Sequence, residues 1–368
     1  MTEKGKAAVY RATGRPFEIV EFPVTDPEPG AVLVKVSMAT ICGSDLHMWR
    51  GDIDLTLLGA PLPAIIGHEM TGRIAALGQG VTTDSAGQPV AEGDRVVYRY
   101  FIPCGCCPAC LRGDDAMCSS NLMYMVSCEP PPHFLGAYAE YYYIRPKQTF
   151  IKVPDDLTDG MVAPVNCALS EVIYGLEQVK VNLGETVVIQ GAGGLGIYAT
   201  AVARDMGAGK VIVVDGIEER LKLARDFGAD EVVDMREFKT PDERVMRVLE
   251  LTGFKGADVV AELVGFPKVV PEGISMLGSG GRYLEIGNIS PGKTVEIDPA
   301  QLVMGSKTIY GVVSYSADTL KKSIDFLSRA KNRYPFDKLL SHTYPLEEIN
   351  KAFEEQDKGL ASRTAIIP

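Results

Sequence analysis

The chain has 368 residues, with 48 Asp and Glu against 37 Lys and Arg and a formal charge of −11. That acidic balance excludes nucleic acid as a natural partner, and no basic cluster offers itself to an anionic membrane. The opening MTEKGKAAVYRA lacks the apolar core of a leader, and no apolar run is long enough to span a bilayer. A cytoplasmic protein of two domains is therefore expected, its eight cysteines reduced and available as metal ligands rather than paired in disulfides.

In chain order, the first 150 residues alternate β-branched runs with turn signals. AVLVKVSMA at 31–39, TGRIAALG at 71–78 and DRVVYRYF at 94–101 read as strands, separated by PEPG and AEGD. The pattern predicts a β-barrel-like domain with long loops. Two of those loops carry ligand chemistry, ICGSDLH at 41–47 and GHE at 67–69. A third holds Cys104, Cys107, Cys110 and Cys118 in the run PCGCCPACLRGDDAMC, four thiolates on one short loop, enough to enclose a zinc ion with no position left open. A pair of disulfides is the competing reading of those four.

From about residue 182 apolar strands alternate with helical segments. ETVVIQ, KVIVVD, EVV, ADVVAE and GRYLEIG read as parallel strands, with helices between them running through Met206, through DFGAD and near 242–252. ETVVIQ leads directly into Gly191-Ala192-Gly193-Gly194-Leu195-Gly196 and a helix, and KVIVVD ends on Asp215. Strand, glycine loop, helix and a following acid together form a dinucleotide fingerprint. The glycines let the backbone approach a pyrophosphate, and Asp215 accepts from the ribose hydroxyls and repels a 2′-phosphate, so NAD is preferred to NADP. Asp215 as a simple turn residue is the alternative, and Arg220 leaves room for some tolerance of a phosphate. The segment after about residue 311 is too short to be a domain and is expected to complete the first one.

CGSDLH, GHE, the four-cysteine loop, the dinucleotide fingerprint and Arg363 in ASRTAIIP together resemble the zinc-containing medium-chain dehydrogenase/reductase superfamily of alcohol and polyol dehydrogenases, essentially end to end. The resemblance implies an α/β protein: a GroES-like β-barrel catalytic domain at 1–168 with a structural zinc lobe at about 100–120, a Rossmann domain with a doubly wound parallel sheet at 169–310, and a return to the catalytic domain at 311–368. It implies two Zn2+ per chain. Cys42, His68 and Cys167 would hold the catalytic ion with one position open, and Glu69 would serve as an alternate ligand. Cys104, Cys107, Cys110 and Cys118 would hold the structural ion, with Cys106 outside the set. Asp45 would accept from the His68 ring. Ser44 and His47 would be the two ends of a proton relay in a zinc-bound alkoxide mechanism, and Arg363 would pair with the cofactor pyrophosphate.

The expected activity is reversible hydride transfer between NAD(H) and a small alcohol or carbonyl, by a homodimer or homotetramer joined at the sheet edge TIYGVV. Met48, Trp49, Tyr100 and the loop 121–138, rich in Met and aromatic residues, are expected to line the substrate pocket and to favour an apolar or cyclic secondary alcohol. Two alternatives use the same scaffold: zinc-assisted reduction of a conjugated C=C bond, or a redox-neutral reaction with bound NAD. A non-catalytic dinucleotide-binding protein is the third. Glu171 either orients the cofactor carboxamide or caps the helix that begins in ALSEVIYGLEQV; Cys128 reads as a buried apolar residue, and His133 and His342 have no motif around them.

Overall fold

The computed structural model describes residues 3–57, 59–120, 126–360 and 363–368. The chain divides into two compact units, Met1–Ser170 with Ser316–Pro368, and Glu171–Tyr315.

In the first unit the strand Val32–Thr40 is the hub. Its β-branched residues favour extended backbone, and Val32, Leu33 and Val34 are all buried. It pairs antiparallel with Glu69–Leu77, with Tyr141–Ile144 and with the C-terminal strand Thr364–Ile367. Glu69–Leu77 continues the sheet to Arg95–Tyr98 and Phe150–Lys152, while His342–Pro345 lies parallel to Thr364–Ile367 at the far edge. This register sets Thr40 opposite both Glu69 and Ala365, so three distant stretches of sequence meet at one end of the hub strand. A smaller sheet runs Glu18–Pro23, Lys4–Tyr10, Ala64–Ile65. Ala7, Val9, Leu33, Ile65, Phe134 and Tyr141 form its core, with burial of Val9, Leu33, Ile65 and Phe134 contributing roughly 1.5–3 kcal/mol each. The strand predicted over 94–101 stops at Tyr98, although the Arg99 N–H still donates to the Thr149 carbonyl at 2.8 Å.

The second unit is a six-stranded parallel sheet. Its spatial order is Glu231–Asp234, Lys210–Asp215, Thr186–Gln190, Ala257–Glu262, Leu277–Glu285, Thr308–Gly311. The first strand in sequence lies in the middle with its successors wound outward on both sides, the doubly wound order. Val188, Ile212, Val214, Val260, Ile274 and Tyr283 pack one face. Helix Pro241–Leu251 begins on a capping box, Thr240 accepting from the Glu243 N–H and Glu243 from the Thr240 N–H, worth about 1 kcal/mol. Arg244 on that helix holds both carboxylate oxygens of Glu272 at 2.7 Å, which ties it to helix Val269–Met276. The strand expected at GRYLEIG begins earlier, at Leu277, where it follows the helix directly. Among the described residues, no helix is long and apolar enough to cross a membrane.

Candidate metal centre and dinucleotide loop

Three donors from distant sequence positions converge in the first unit. Cys42 is the N-cap of helix Gly43–Arg50. His68 follows Gly67, whose φ of 89° is left-handed and whose absent Cβ would lie 2.7 Å from the Tyr138 ring. Cys167 ends the 3₁₀ turn Ala163–Asn166, and the fully buried Asn166 pins that turn by accepting from the Tyr98 N–H and donating to the Met70 carbonyl. The donor atoms of Cys42, His68 and Cys167 lie within 4.8 Å of one another, and all three residues are buried.

The chemistry of this set fits zinc. The Cys42 and Cys167 sulfurs are 3.9 Å apart; a tetrahedron with zinc–sulfur bonds of about 2.3 Å separates its sulfurs by about 3.8 Å, whereas a disulfide needs about 2 Å. The Cys42 thiol is held well below its ordinary value, first by the hydrogen bond with Cys167 and then by His68 and Ser44, against the opposing effect of burial. His68 Nδ1 faces Asp45 Oδ1 at 3.3 Å. Its Nε2 therefore turns toward the thiols, with Ser44 Oγ 3.5 Å away. Asp45 is itself fixed, its Oδ2 accepting from the Cys42 N–H at 3.0 Å and from the Tyr138 hydroxyl at 2.6 Å. One buried carboxylate thus anchors the turn carrying a thiol and sets its other oxygen opposite the imidazole.

Glu69 and Arg363 meet beneath the donors, a pairing the sequence did not suggest. Arg363, assigned from sequence to the cofactor pyrophosphate, is buried against Glu69, with one guanidinium nitrogen 3.0 Å from each carboxylate oxygen. Thr40 also donates to Glu69 at 2.6 Å. The physical reason is register: Glu69, Thr40 and the start of the C-terminal strand lie side by side in the sheet, and a buried carboxylate requires a cation there. Burial pushes Glu69 up to about 7, against the pull of Arg363. His47 is partly exposed, and its Nδ1 lies 3.1 Å from Asp52. Met48 is buried and its carbonyl accepts from the Tyr10 hydroxyl, and Trp49 packs on Phe353 of helix Ile349–Asp357. Tyr100 stands with its ring centroid 4.8 Å from that of His68. The stretch 121–125 of the expected pocket loop lies outside the described residues. Glu171 is a buried first-turn residue of helix Ala168–Gln178, and Cys128 is a core residue.

The second cluster is Cys104, Cys107, Cys110 and Cys118, again within 4.8 Å of one another, with Cys106 outside it. Sulfur–sulfur distances of 3.5, 3.5 and 4.0 Å match the tetrahedral spacing, and all eight cysteines are free. Backbone N–H groups of Cys104 and Cys107 donate to the sulfurs of Cys118 and Cys104. Arg99, fully buried, ties the lobe to the sheet through Asp115 at 2.6 Å and lies over the Phe101 ring.

In the second unit the glycine loop follows strand Thr186–Gln190 and opens helix Gly194–Asp205. A Cβ on Gly196 would stand 1.8 Å from the Gly191 carbonyl oxygen, so only glycine lets the helix approach the strand. At Gly193 a Cβ would meet nothing within 4 Å, which leaves that side of the loop clear for a ligand. Asp215 ends its strand with both oxygens accepting from backbone, from the Ala192 N–H at 2.7 Å and the Ile217 N–H at 2.9 Å. It shapes the glycine loop and retains lone pairs for a further donor. Arg220 is half-buried on the helix that follows.

Residues 28–155 match the alcohol dehydrogenase GroES-like domain, and residues 194–329 match the zinc-binding dehydrogenase family. The 5-exo-hydroxycamphor dehydrogenase of Pseudomonas putida is 34% identical over 98% of each chain. The chain belongs to the zinc-containing medium-chain dehydrogenase/reductase family. The crystal structure of an alcohol dehydrogenase from Thermotoga maritima superimposes with a TM-score of 0.92 at 31% identity, covering 100% of both chains. Benzyl alcohol dehydrogenase from Acinetobacter calcoaceticus gives 0.85 at 30% identity, covering 99% of both. This member is an oxidoreductase with the GroES-like and Rossmann units of that family, and zinc and a nicotinamide dinucleotide are the family's cofactors. Thr40, Tyr138, Asn166 and Asp52 were not legible in the sequence as site residues. The only sequence signal for any of them is a polar residue in an apolar run, as in VAPVNC.

Proposed function

We propose that the chain catalyses reversible hydride transfer between an alcohol and NAD, at Cys42, His68 and Cys167. The observation carrying this reading is the convergence of two thiols and one imidazole, three donors rather than four, which leaves a tetrahedral ion one position for substrate. A zinc ion on these donors supplies Lewis acidity that makes an alcohol hydroxyl acidic at neutral pH. Ser44, beside His68 Nε2, receives the hydroxyl proton. His47 is the solvent end of the relay, with Asp52 fixing its Nδ1 so that Nε2 is the exchanging nitrogen. Asp45 and Tyr138 keep the imidazole oriented, and the Glu69–Arg363 pair balances charge beneath the donors, with Glu69 as the alternate ligand. Cys104, Cys107, Cys110 and Cys118 hold a second, structural zinc.

NAD is preferred over NADP because Asp215 stands where the first strand–helix–strand half receives a ribose. The substrate is a fairly apolar secondary or cyclic alcohol, a reading supported by the relative named for hydroxycamphor, a rigid cyclic alcohol. The protein assembles as a homodimer or homotetramer through Thr308–Gly311, the edge strand of its sheet, beside which Val303, Met304 and Val313 are exposed; light scattering tests this.

The deciding experiment incubates the protein with NAD and a panel of secondary and cyclic alcohols while NADH absorbance is followed. NADH formation is expected. Silence across the panel, with enone reduction by NADH instead, would overturn the reading in favour of the conjugated-bond reductase. Asp215→Asn should lower the affinity for NAD more than that for NADP; because Asp215 also holds the glycine loop, both decline, and an unchanged ratio would remove the ribose assignment.

A further inference from the structure

The second unit contains an acidic pair that the sequence reading did not single out. Glu262 and Glu285 are the last residues of neighbouring parallel strands and lie opposite one another in register. Glu262 is fully buried. Its Oε1 accepts from the Val264 N–H at 2.7 Å and the Gly265 N–H at 2.8 Å, which fixes the loop after its own strand. The Asn288 side-chain amide then donates to Glu262 Oε2 and Glu285 Oε1, both at 3.1 Å, and the Asn288 N–H donates to Glu285 at 3.0 Å. A Cβ on Gly287 would fall 2.5 Å from Glu262 Oε2, so the two loops are closed over the carboxyls as tightly as backbone permits.

Ligands of doubly wound sheets lie beyond the carboxyl ends of the strands, each half of the sheet taking one mononucleotide. The half carrying Asp215 takes the adenosine, which leaves the half carrying Glu262 and Glu285 for the nicotinamide. We propose that Glu262 and Glu285 are a positioning pair for the nicotinamide end of the dinucleotide, holding the two loops that follow their strands and presenting negative charge that favours the oxidised, cationic cofactor over the reduced one. The proposal rests on the nicotinamide reading above.

Protonation supports it. Burial and the adjacent Glu285 carboxylate push Glu262 up to about 8, so at neutral pH Glu262 holds a proton and above that value it adds a negative charge beside Glu285. The other groups facing the pair do not cancel this change. Tyr283 donates its hydroxyl to Gln190 and is driven upward by burial, and Glu272 is neutralised by Arg244. Lys268, on the loop after Glu262, lies over the Phe266 ring.

The test is calorimetric binding of NAD+ and of NADH to the full chain, below and above about pH 8. In the wild type the preference for NAD+ should grow as pH rises through that value. Glu285→Gln removes the neighbouring carboxylate that raises Glu262 and leaves Glu262 ionised, so the neutral-pH preference should persist and its rise with pH should vanish. The Glu262→Gln/Glu285→Gln double variant carries no charge and should move the ratio severalfold toward NADH. A rise with pH that survives in Glu285→Gln, or an unchanged ratio in the double variant, overturns the proposal. Should the double variant not fold, the single variant's pH dependence decides. Failure of the wild type to bind either nucleotide would remove the cofactor reading and this inference with it, whereas binding with an unaltered ratio would remove this inference alone.

Discussion

The two thiol-rich clusters of the first unit solve the same coordination problem in opposite ways. Cys104, Cys107, Cys110 and Cys118 come from one short loop, Cys104 is exposed, and the loop's own backbone N–H groups orient the sulfurs. Cys42, His68 and Cys167 come from three separate stretches, are all buried, and are held through tertiary hydrogen bonds: Asp45 beside Cys42 is fixed by the distant Tyr138, and Asn166 beside Cys167 by the distant strands bearing Met70 and Tyr98. A loop that carries all four donors can wrap an ion with little help from the fold, and it leaves no position open. A set assembled by tertiary structure can stop at three donors and shield the fourth position from water.

The largest expected effect breaks the second cluster alone. Cys42→Ser should reduce turnover to background and the zinc content from two per chain to one; turnover with the ion missing would sever this cluster from catalysis. Cys110→Ser should do the converse, losing the lobe's zinc and several degrees of melting temperature while the buried ion stays. Loss of both ions in either variant would mean the clusters are not independent. Asp45→Asn keeps the shape of the buried set but weakens the acceptor on the His68 ring, and should cost about 10–100-fold in metal affinity or turnover. Cys106→Ser should change neither zinc content nor melting temperature, since Cys106 lies outside the set; a lost zinc would redraw the register.

The contrast also explains what the sequence made legible. The lobe, the glycine loop and the alternation of strands with helices are local patterns, so spacing and periodicity reach them directly. Cys42, His68 and Cys167 are meaningless as spacings and were reached only through family resemblance. The pairing of Arg363 with Glu69 was not legible, because the sheet register that sets them side by side is a tertiary fact. Tyr138 reaches Asp45 across 93 residues, and Asn166 reaches Met70 and Tyr98 across 96 and 68, a dependence with no local signature.

The central claim is that the buried set, and not the lobe, keeps an open coordination position. Cobalt in place of zinc reports this directly, because the visible absorption of a tetrahedral thiolate site responds to any ligand that joins it. Adding a ligand that competes with alcohol, such as an azole, should shift the spectrum of the wild type and of Cys110→Ser, and should have no effect on Cys42→Ser. A shift that persists in Cys42→Ser, or disappears in Cys110→Ser, would contradict the account.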